Sequence, residues 1–291
     1  MIPGISPLAL GTVELGMDYG FRGSGHYGRP AAEEAIRLLR RAVDLGITLF
    51  DTAPSYGDAE ALIGRALAGM RDRPLIATKV GTLEPAAMAA SIEASLRALG
   101  VERIDVLQIH YATPATFAND DALRALDDAR RAGKVRWLGA SFYDEDAAYA
   151  GAGRFDAIQV PFSLLDQKMA RRVLPAARAA ETAVLVRSAF LRGILTPRVH
   201  ATPEPLARLR EAALAALAAT GEPVERLAEV ALRFCLGVPG VTSVIVGVRS
   251  IPELEANAAA AAKGALALPE AGRFSFGDDP IVNPSTWQGL I

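Results

Sequence analysis

Short apolar runs alternate with longer amphipathic segments along nearly the whole chain of 291 residues. The runs are mostly apolar and do not alternate between apolar and polar residues, which is typical of strands that are buried on both faces of a parallel sheet. Eight such runs with helical segments between them predict a (β/α)8 TIM barrel of the α/β class. The predicted strands are Leu8–Gly11, Thr48–Phe50, Leu75–Thr78, Val106–Ile109, Arg136–Gly139, Ala157–Val160, Ala183–Val186 and Ser243–Val246.

The segments between the runs have helical periodicity. In residues 31–45, Ile36, Leu39 and Val43 recur at three- and four-residue spacing, and Gly46 ends the segment. No Pro/Ser-rich linker interrupts the chain, so we expect a single domain over residues 1–291. The other predicted helices are Ala59–Ala68, Ala86–Leu99, Ala122–Ala132, Lys168–Ala179, Pro205–Ala218 and Pro223–Leu236, the last two lying between the last two strands.

An open doubly wound sheet is the competing architecture. It would place the dinucleotide fingerprint G-x-G-x-x-G directly after the first strand. The chain has Gly11-Thr-Val-Glu-Leu-Gly16 there, which lacks the middle glycine. The sequence therefore favours the barrel.

Charge and cysteine content narrow the class of protein. The net charge of −2 argues against nucleic acid or an anionic membrane as the partner. The single cysteine, Cys235, excludes an internal disulfide and suits a reducing compartment. No signal peptide and no apolar stretch long enough to span a membrane is evident. We therefore expect a cytoplasmic protein, a monomer, that acts on a small molecule.

Four reactive side chains follow the predicted strands: Asp51, Tyr56, Lys79 and His110. The C-terminal ends of parallel barrel strands share one face, so these groups should converge. A free phenol has a pKa of about 10, and a nearby ammonium would stabilise its ionised form. Tyr56 would then be a general acid whose pKa is lowered by Lys79, with Lys79 held by Asp51. His110 would orient a substrate oxygen.

The residues around this cluster resemble the aldo-keto reductase superfamily. The resemblance is carried by residues 51–64 (DTAPSYGDAEALIG), by Thr78-Lys79 and by Gln108-Ile109-His110, and it runs nearly end to end. Residues 10–20 and 186–191 resemble a short bacterial branch of that superfamily. The resemblance implies an oxidoreductase that reduces an aldehyde or ketone to an alcohol, with hydride from NAD(P)H and a proton from Tyr56. NADP(H) is the expected cofactor, and NAD(H) is the alternative.

The resemblance also implies a dinucleotide site. Residues 188–193 resemble the family's pyrophosphate loop, and residues 247–257 resemble the segment that binds the 2′-phosphate and adenine. Ser141 and Gln159 would hold the nicotinamide carboxamide, whereas Phe142 stands where the family has Asn. The implied cofactor-binding residues are Gly11, Thr12, Ser141, Gln159, Arg187, Ser188, Leu191, Gly193, Gly247, Arg249, Ser250 and Asn257.

Two further departures from the family pattern concern charge. Arg187 stands where an aromatic usually stacks on the nicotinamide, and a guanidinium can also stack on a flat ring. Its charge would disfavour the positively charged oxidised cofactor relative to the neutral reduced one. Glu253 replaces a Gln or Arg, and a carboxylate there would repel a 2′-phosphate.

Aromatic side chains are the candidates for the substrate mouth. We expect Tyr19, Tyr27, Tyr111 and Phe142 to line it, although they could equally pack loops. The loop of residues 20–28, which contains His26, should lie on the same face as the cluster. These residues suit a small carbonyl or alcohol substrate without identifying it.

Other interpretations of the same residues stay open. Taken singly, Asp51 could be a helix cap, Lys79 a rim charge and His110 a strand-end histidine. Ser250 could be only an N-cap, and Arg249 a solvated charge. A catalytic metal is disfavoured because the chain has three histidines and no H-x-H or H-E-x-x-H spacing. The alternative functions are an NAD-dependent sugar dehydrogenase and a catalytically quiet nicotinamide-sensing protein on the same fold.

Overall fold

Eight parallel strands close into a barrel with helices between them, as the alternation of runs predicts. The computed structural model describes residues 2–22, 27–287, 289 and 290. The strands are β1 (Leu8–Gly11), β2 (Leu49–Asp51), β3 (Leu75–Val80), β4 (Ile104–Ala112), β5 (Val135–Phe142), β6 (Ala157–Pro161), β7 (Ala183–Arg187) and β8 (Ser243–Gly247). Strands β1 and β8 pair directly, with Leu8 opposite Val244, and this pairing closes the ring. The fold is thus a (β/α)8 barrel, formed as a single domain.

The helices surround the barrel and are mostly short. They are α1 (Val13–Gly16), α2 (Ala32–Asp44), α3 (Ala59–Leu67), α4 (Pro85–Leu99), α5 (Asp120–Arg131), α6 (Glu145–Gly151), α7 (Val173–Ala179), α8 (Ala207–Ala218), α9 (Leu227–Leu236) and α10 (Ile251–Ala262). Within the described residues, no helix is both long and apolar enough to cross a membrane.

One predicted helix is divided in two. The pattern predicted a continuous helix over 168–179, but a 3-10 turn covers Lys168–Ala170 and α7 begins at Val173. Pro175 accounts for the break, because its ring would clash with the carbonyl four residues earlier in a longer helix. Helix α6 lacks a long apolar stripe and was not predicted. Its start is fixed by the Asp144 side chain, which accepts a hydrogen bond from the Ala147 N–H at 2.7 Å.

The strand side chains alternate between the barrel interior and the helical layer. An apolar cluster fills the lower interior, and its members include Ala9, Leu49, Ala77, Val106, Ala157, Leu185 and Ile245. Two residues further along the same strands stand Gly11, Asp51, Lys79, Gln108, Gln159, Arg187 and Gly247. Because strand periodicity is two, these residues form the next interior layer, at the C-terminal end of the barrel. The fold itself therefore gathers the polar residues of five strands, together with one glycine each from β1 and β8, into one layer.

Candidate active site

A buried ion pair lies at the centre of this polar layer. The Lys79 ammonium donates to both carboxylate oxygens of Asp51, at 2.9 and 2.8 Å, and to the carbonyl oxygen of Thr52 at 2.9 Å. Lys79 is 1% exposed and Asp51 is 4% exposed. Burial lowers the pKa of Lys79, while the Asp51 charge and hydrogen bond oppose that shift. All three ammonium protons are therefore directed at Asp51 and its neighbouring carbonyl.

Two glutamine amides complete the surroundings of the carboxylate. Gln159 donates to Asp51 Oδ1 at 2.7 Å, and Gln108 donates to the same oxygen at 3.2 Å. Gln108 was not among the predicted site residues, although it precedes His110 by two positions and so belongs to the same strand face. Its own carbonyl oxygen, Oε1, is buried without a hydrogen-bond partner in the described structure.

Tyr56 follows β2 and lies over this ion pair. The Lys79 Nζ atom is 5.0 Å from the centroid of the Tyr56 ring, and the His110 ring meets it edge-on at 5.7 Å. The sequence predicted a lowered pKa for Tyr56, and this prediction is wrong for the structure. Burial, and next the negative charge of Asp51, raise the pKa of Tyr56, and Arg187 opposes the shift. Lys79 is not among the groups with the largest influence on that pKa.

His110 lies where β4 leaves regular pairing. The register between β4 and β5 shifts between Ile109 and Ala112. The His110 ring stacks on Tyr111 with centroids 4.3 Å apart. Burial, and then the Lys79 charge, lower the pKa of His110 from 6.5 to about 4. The imidazole is therefore neutral near pH 7 and carries one N–H donor and one acceptor.

We expect the free energy of unfolding to fall as pH is lowered from 6.5 towards 4. In this window the unfolded chain binds a proton on His110, whose folded pKa is about 4, so acid favours unfolding. His110→Gln cannot titrate and should lose this part of the pH dependence. Urea denaturation of both proteins at pH 7 and 4.5 measures it, and an equal loss in the two would contradict the prediction.

The loop after β7 is shaped for an anion. Ser188, Leu191 and Arg192 adopt left-handed backbone conformations, with φ of 63°, 44° and 54°. Such conformations cost a non-glycine residue about 1 kcal/mol or more, and they cluster at ligand sites. The Arg192 Nε atom is buried without a hydrogen-bond partner in the described structure. An uncompensated guanidinium N–H in a barrel loop after strand seven fits a phosphate group.

A cavity joins this loop to Tyr56 and His110, and we call it the main cavity. It is open to solvent and has a volume of about 240 Å³. Lys79 lies behind Asp51, whereas the other three members of the cluster line the cavity wall. The implied cofactor-binding residues that line it are Gly11, Thr12, Ser141, Gln159, Arg187, Ser188, Leu191, Gly193 and Gly247.

The other three implied cofactor residues lie elsewhere. Arg249 lines a smaller side cavity, which shares Glu14, Arg192 and Arg198 with the main one. Ser250 is the N-cap of α10 and accepts from the Glu253 N–H at 3.3 Å. Asn257 is 7% exposed on α10, and both Ser250 and Asn257 are outside the described linings of the two cavities.

Phe142 does not line the substrate mouth, contrary to the sequence prediction. It is fully buried in the helical layer, where it stacks on Phe117 and packs against Phe155. Ser141 faces the barrel interior, so the next residue must face outward. Tyr143 lines the cavity instead, and strand alternation could have identified it.

Arg187 and Tyr143 form a stacked pair in the cavity wall. The guanidinium carbon lies 3.8 Å from the Tyr143 ring centroid, and Nη2 donates to the Phe142 carbonyl at 3.1 Å. Among the described residues, no carboxylate forms an ion pair with Arg187. One positive charge therefore stays uncompensated beside Tyr56 and His110.

The remaining predicted aromatics differ in position. Tyr19 and Tyr111 line the main cavity, and Tyr111 is 63% exposed. Tyr27 is 41% exposed and lies near the Arg22 guanidinium, outside the described lining. Residues 23–26, which include His26, lie outside the described residues. Toward the end of the chain, Pro284 lines the cavity and Trp287 stacks on Phe21 with centroids 5.7 Å apart.

Comparison with known proteins agrees with this architecture. Aldo-keto reductase YhdN of Bacillus subtilis is 29% identical over 210 residues, which are 67% of this chain and 61% of that relative. The NADH-specific methylglyoxal reductase of Escherichia coli is 29% identical over 219 residues, 66% of each chain. The matches thus span just under two thirds of either relative. The holo form of aldo-keto reductase AKR11C1 from Bacillus halodurans superposes with a TM-score of 0.77 at 26% identity, covering 93% of this chain and 91% of that one.

The C-terminal face of this closed parallel barrel thus holds an amine–carboxylate pair, a phenol and an imidazole. The sequence model of the aldo/keto reductase family matches residues 7–270. This match covers most of the chain, and the chain belongs to the aldo/keto reductase family. Its members use nicotinamide cofactors and act on small carbonyl compounds.

Proposed function

We propose that the protein reduces an aldehyde or ketone to an alcohol with a reduced nicotinamide dinucleotide, and that Tyr56 supplies the proton. One observation carries this proposal. Tyr56 and His110 face the same cavity as the loop of residues 188–193, above the Asp51–Lys79 pair. The choice between NADP(H), which the sequence favoured, and NAD(H) depends on the charges around Arg198 and Arg249 rather than on this cluster.

The cavity suits the cofactor at both of its ends. Arg192, with its unpartnered Nε, and the strained loop around it would bind the pyrophosphate. Ser141 and Gln159 line the opposite part, where they would hold the carboxamide. The dinucleotide supplies the hydride, and the chain's own residues then manage the oxygen and its proton.

Tyr56 can donate a proton because its phenol is protonated in the resting protein. Its raised pKa leaves the phenol protonated throughout the neutral range. The alkoxide formed when a carbonyl accepts a hydride is more basic than a phenolate, so proton transfer from Tyr56 is favourable. Oxidation of an alcohol would require the ionised phenol, which burial and Asp51 disfavour.

His110 and the ion pair position the reacting groups. The neutral His110 imidazole has one N–H with which to hold the substrate oxygen within reach of Tyr56. The Asp51–Lys79 ion pair lies in a fixed position beneath the Tyr56 ring. Tyr19 and Tyr111 would contact the body of a small substrate at the mouth. We further propose that the protein acts as a monomer in the cytoplasm.

Titration with reduced dinucleotide, followed by a panel of aldehydes and ketones, tests the proposed function. Fluorescence of the reduced nicotinamide reports binding, and its oxidation reports turnover. We expect both to occur. Binding without turnover on any carbonyl would favour the nicotinamide-sensing alternative, and turnover only with sugar alcohols and oxidised NAD would favour the dehydrogenase.

Arg187→Tyr should increase the affinity for the oxidised cofactor relative to the reduced one by about fivefold or more. The uncompensated guanidinium repels a cationic nicotinamide. Removing a charge next to the ring changes the binding free energy of the oxidised cofactor by about 1 kcal/mol. Fluorescence and calorimetric titrations give the two dissociation constants. Arg187→Lys keeps the charge and should keep the wild-type ratio; an unchanged ratio in Arg187→Tyr would refute the prediction.

A further inference from the structure

The side cavity beyond the phosphate loop is lined by two arginines that form ion pairs, Arg198 and Arg249. It shares Arg192 and Arg198 with the main cavity and extends towards the start of α10. In a parallel barrel, phosphates lie at the loops after strands seven and eight. With the nicotinamide end of a dinucleotide near Tyr56, the adenosine end would reach this side cavity.

Two of the three arginines in the described lining of the side cavity, Arg198 and Arg249, are paired with carboxylates, and the third, Arg192, is the residue proposed for the pyrophosphate. Arg198 Nη1 lies 3.2 Å from Glu253 Oε1, and Arg249 Nε lies 3.2 Å from Glu14 Oε2. The second oxygen of Glu253 accepts the Arg249 backbone N–H at 2.9 Å. The cations that could have received an additional phosphate therefore already have anionic partners.

The two carboxylates are held in place by the fold. Glu253 lies in the first turn of α10, where the Ser250 side chain accepts its backbone N–H. Its carboxylate therefore occupies the helix terminus that would otherwise attract an anion. A Cβ atom at position 247 would approach Glu14 Oε1 to 2.7 Å, so Gly247 leaves the space that Glu14 fills.

We propose that this protein binds NAD(H) in preference to NADP(H), and that Glu14 and Glu253 determine the preference. A carboxylate can accept a hydrogen bond from a ribose 2′-hydroxyl, whereas it repels a 2′-phosphate. The inference rests on the proposed function, since it concerns the dinucleotide of the same site. It departs from the sequence-based expectation of NADP(H).

Dissociation constants for NADH and NADPH test the preference directly. We expect the wild-type protein to bind NADH at least tenfold more tightly. Glu253→Gln removes the charge while keeping the side chain's shape, and it should tighten NADPH binding about tenfold with NADH binding within twofold of wild type. Glu14→Gln should act in the same direction. Calorimetry with 2′,5′-ADP and with ADP repeats the comparison without the nicotinamide.

Glu255→Gln is the matched control. Glu255 lies on the same helix but pairs with Arg41, which lines neither cavity, whereas Glu253 pairs with Arg198, which lines both, so the ratio should not change in Glu255→Gln. Tighter binding of NADPH than NADH by the wild type would overturn the inference and leave the proposed function intact. An unchanged ratio in both Glu253→Gln and Glu14→Gln would also overturn it. If folded protein binds neither dinucleotide, the proposed function fails as well.

Discussion

Tyr56→Phe is expected to lower kcat for carbonyl reduction about a thousandfold. The substitution removes the proposed proton donor and keeps the ring that packs over Lys79 and against His110. General acid catalysis typically contributes between about a hundredfold and ten-thousandfold, so the loss should dominate the kinetics. Dinucleotide affinity should stay within twofold, because the phosphate loop is untouched. Steady-state kinetics and fluorescence titration on the same preparation measure both quantities.

Tyr111→Phe is the control for this experiment. Tyr111 also lines the main cavity and stacks on His110, but it is 63% exposed. Removing its hydroxyl should change kcat less than threefold. If Tyr56→Phe retained more than a tenth of the wild-type rate, Tyr56 would not be the proton donor.

Lys79→Met should destabilise the fold by on the order of 3–5 kcal/mol, because it leaves a buried carboxylate without its cation. Asp51 would keep the amide donors Gln108 and Gln159, which soften the loss without neutralising the charge. Urea denaturation of the variant and of the wild-type protein at pH 7 measures the loss.

Lys134→Met tests whether the cost comes from burial. Lys134 pairs with Glu93 on the surface, with both side chains more than two fifths exposed. Exposed ion pairs contribute about 0–1 kcal/mol, so this change should be nearly neutral. A comparable loss of stability in the two variants would show that burial of the Asp51–Lys79 pair does not determine the cost of removing the lysine. The double variant Asp51→Asn with Lys79→Met should recover part of the stability.

The sequence was sufficient for the barrel and for every named member of its polar layer except Gln108. Continuous apolar runs reveal buried parallel strands, and residues such as Asp51 and Lys79 follow because strand ends share one face. Strand alternation also indicates which side chains face the barrel interior, and the residue types alone do not. Phe142 was taken for a cavity aromatic, although its neighbour Ser141 already occupies the inward position. The same alternation links Gln108 to His110.

Other features depend on contacts between distant segments. The pKa of Tyr56 depends on how much water the fold removes and on how close the charges of Asp51 and Arg187 lie, and neither is encoded locally. The pairs Arg198–Glu253 and Arg249–Glu14 join residues far apart in the chain. Sequence alone showed Glu253 as an isolated departure, whereas the structure shows which cation it neutralises.

The pairing of β1 with β8 has a consequence for how the pocket forms. Gly11 and Gly247 lie opposite each other across that seam, and the Arg249–Glu14 pair bridges it. A folding intermediate that lacked the last strand would already hold Tyr56 and His110 but would have no complete groove for a dinucleotide. A bound dinucleotide would therefore stabilise the pairing of the first and last strands, and with it the closed barrel.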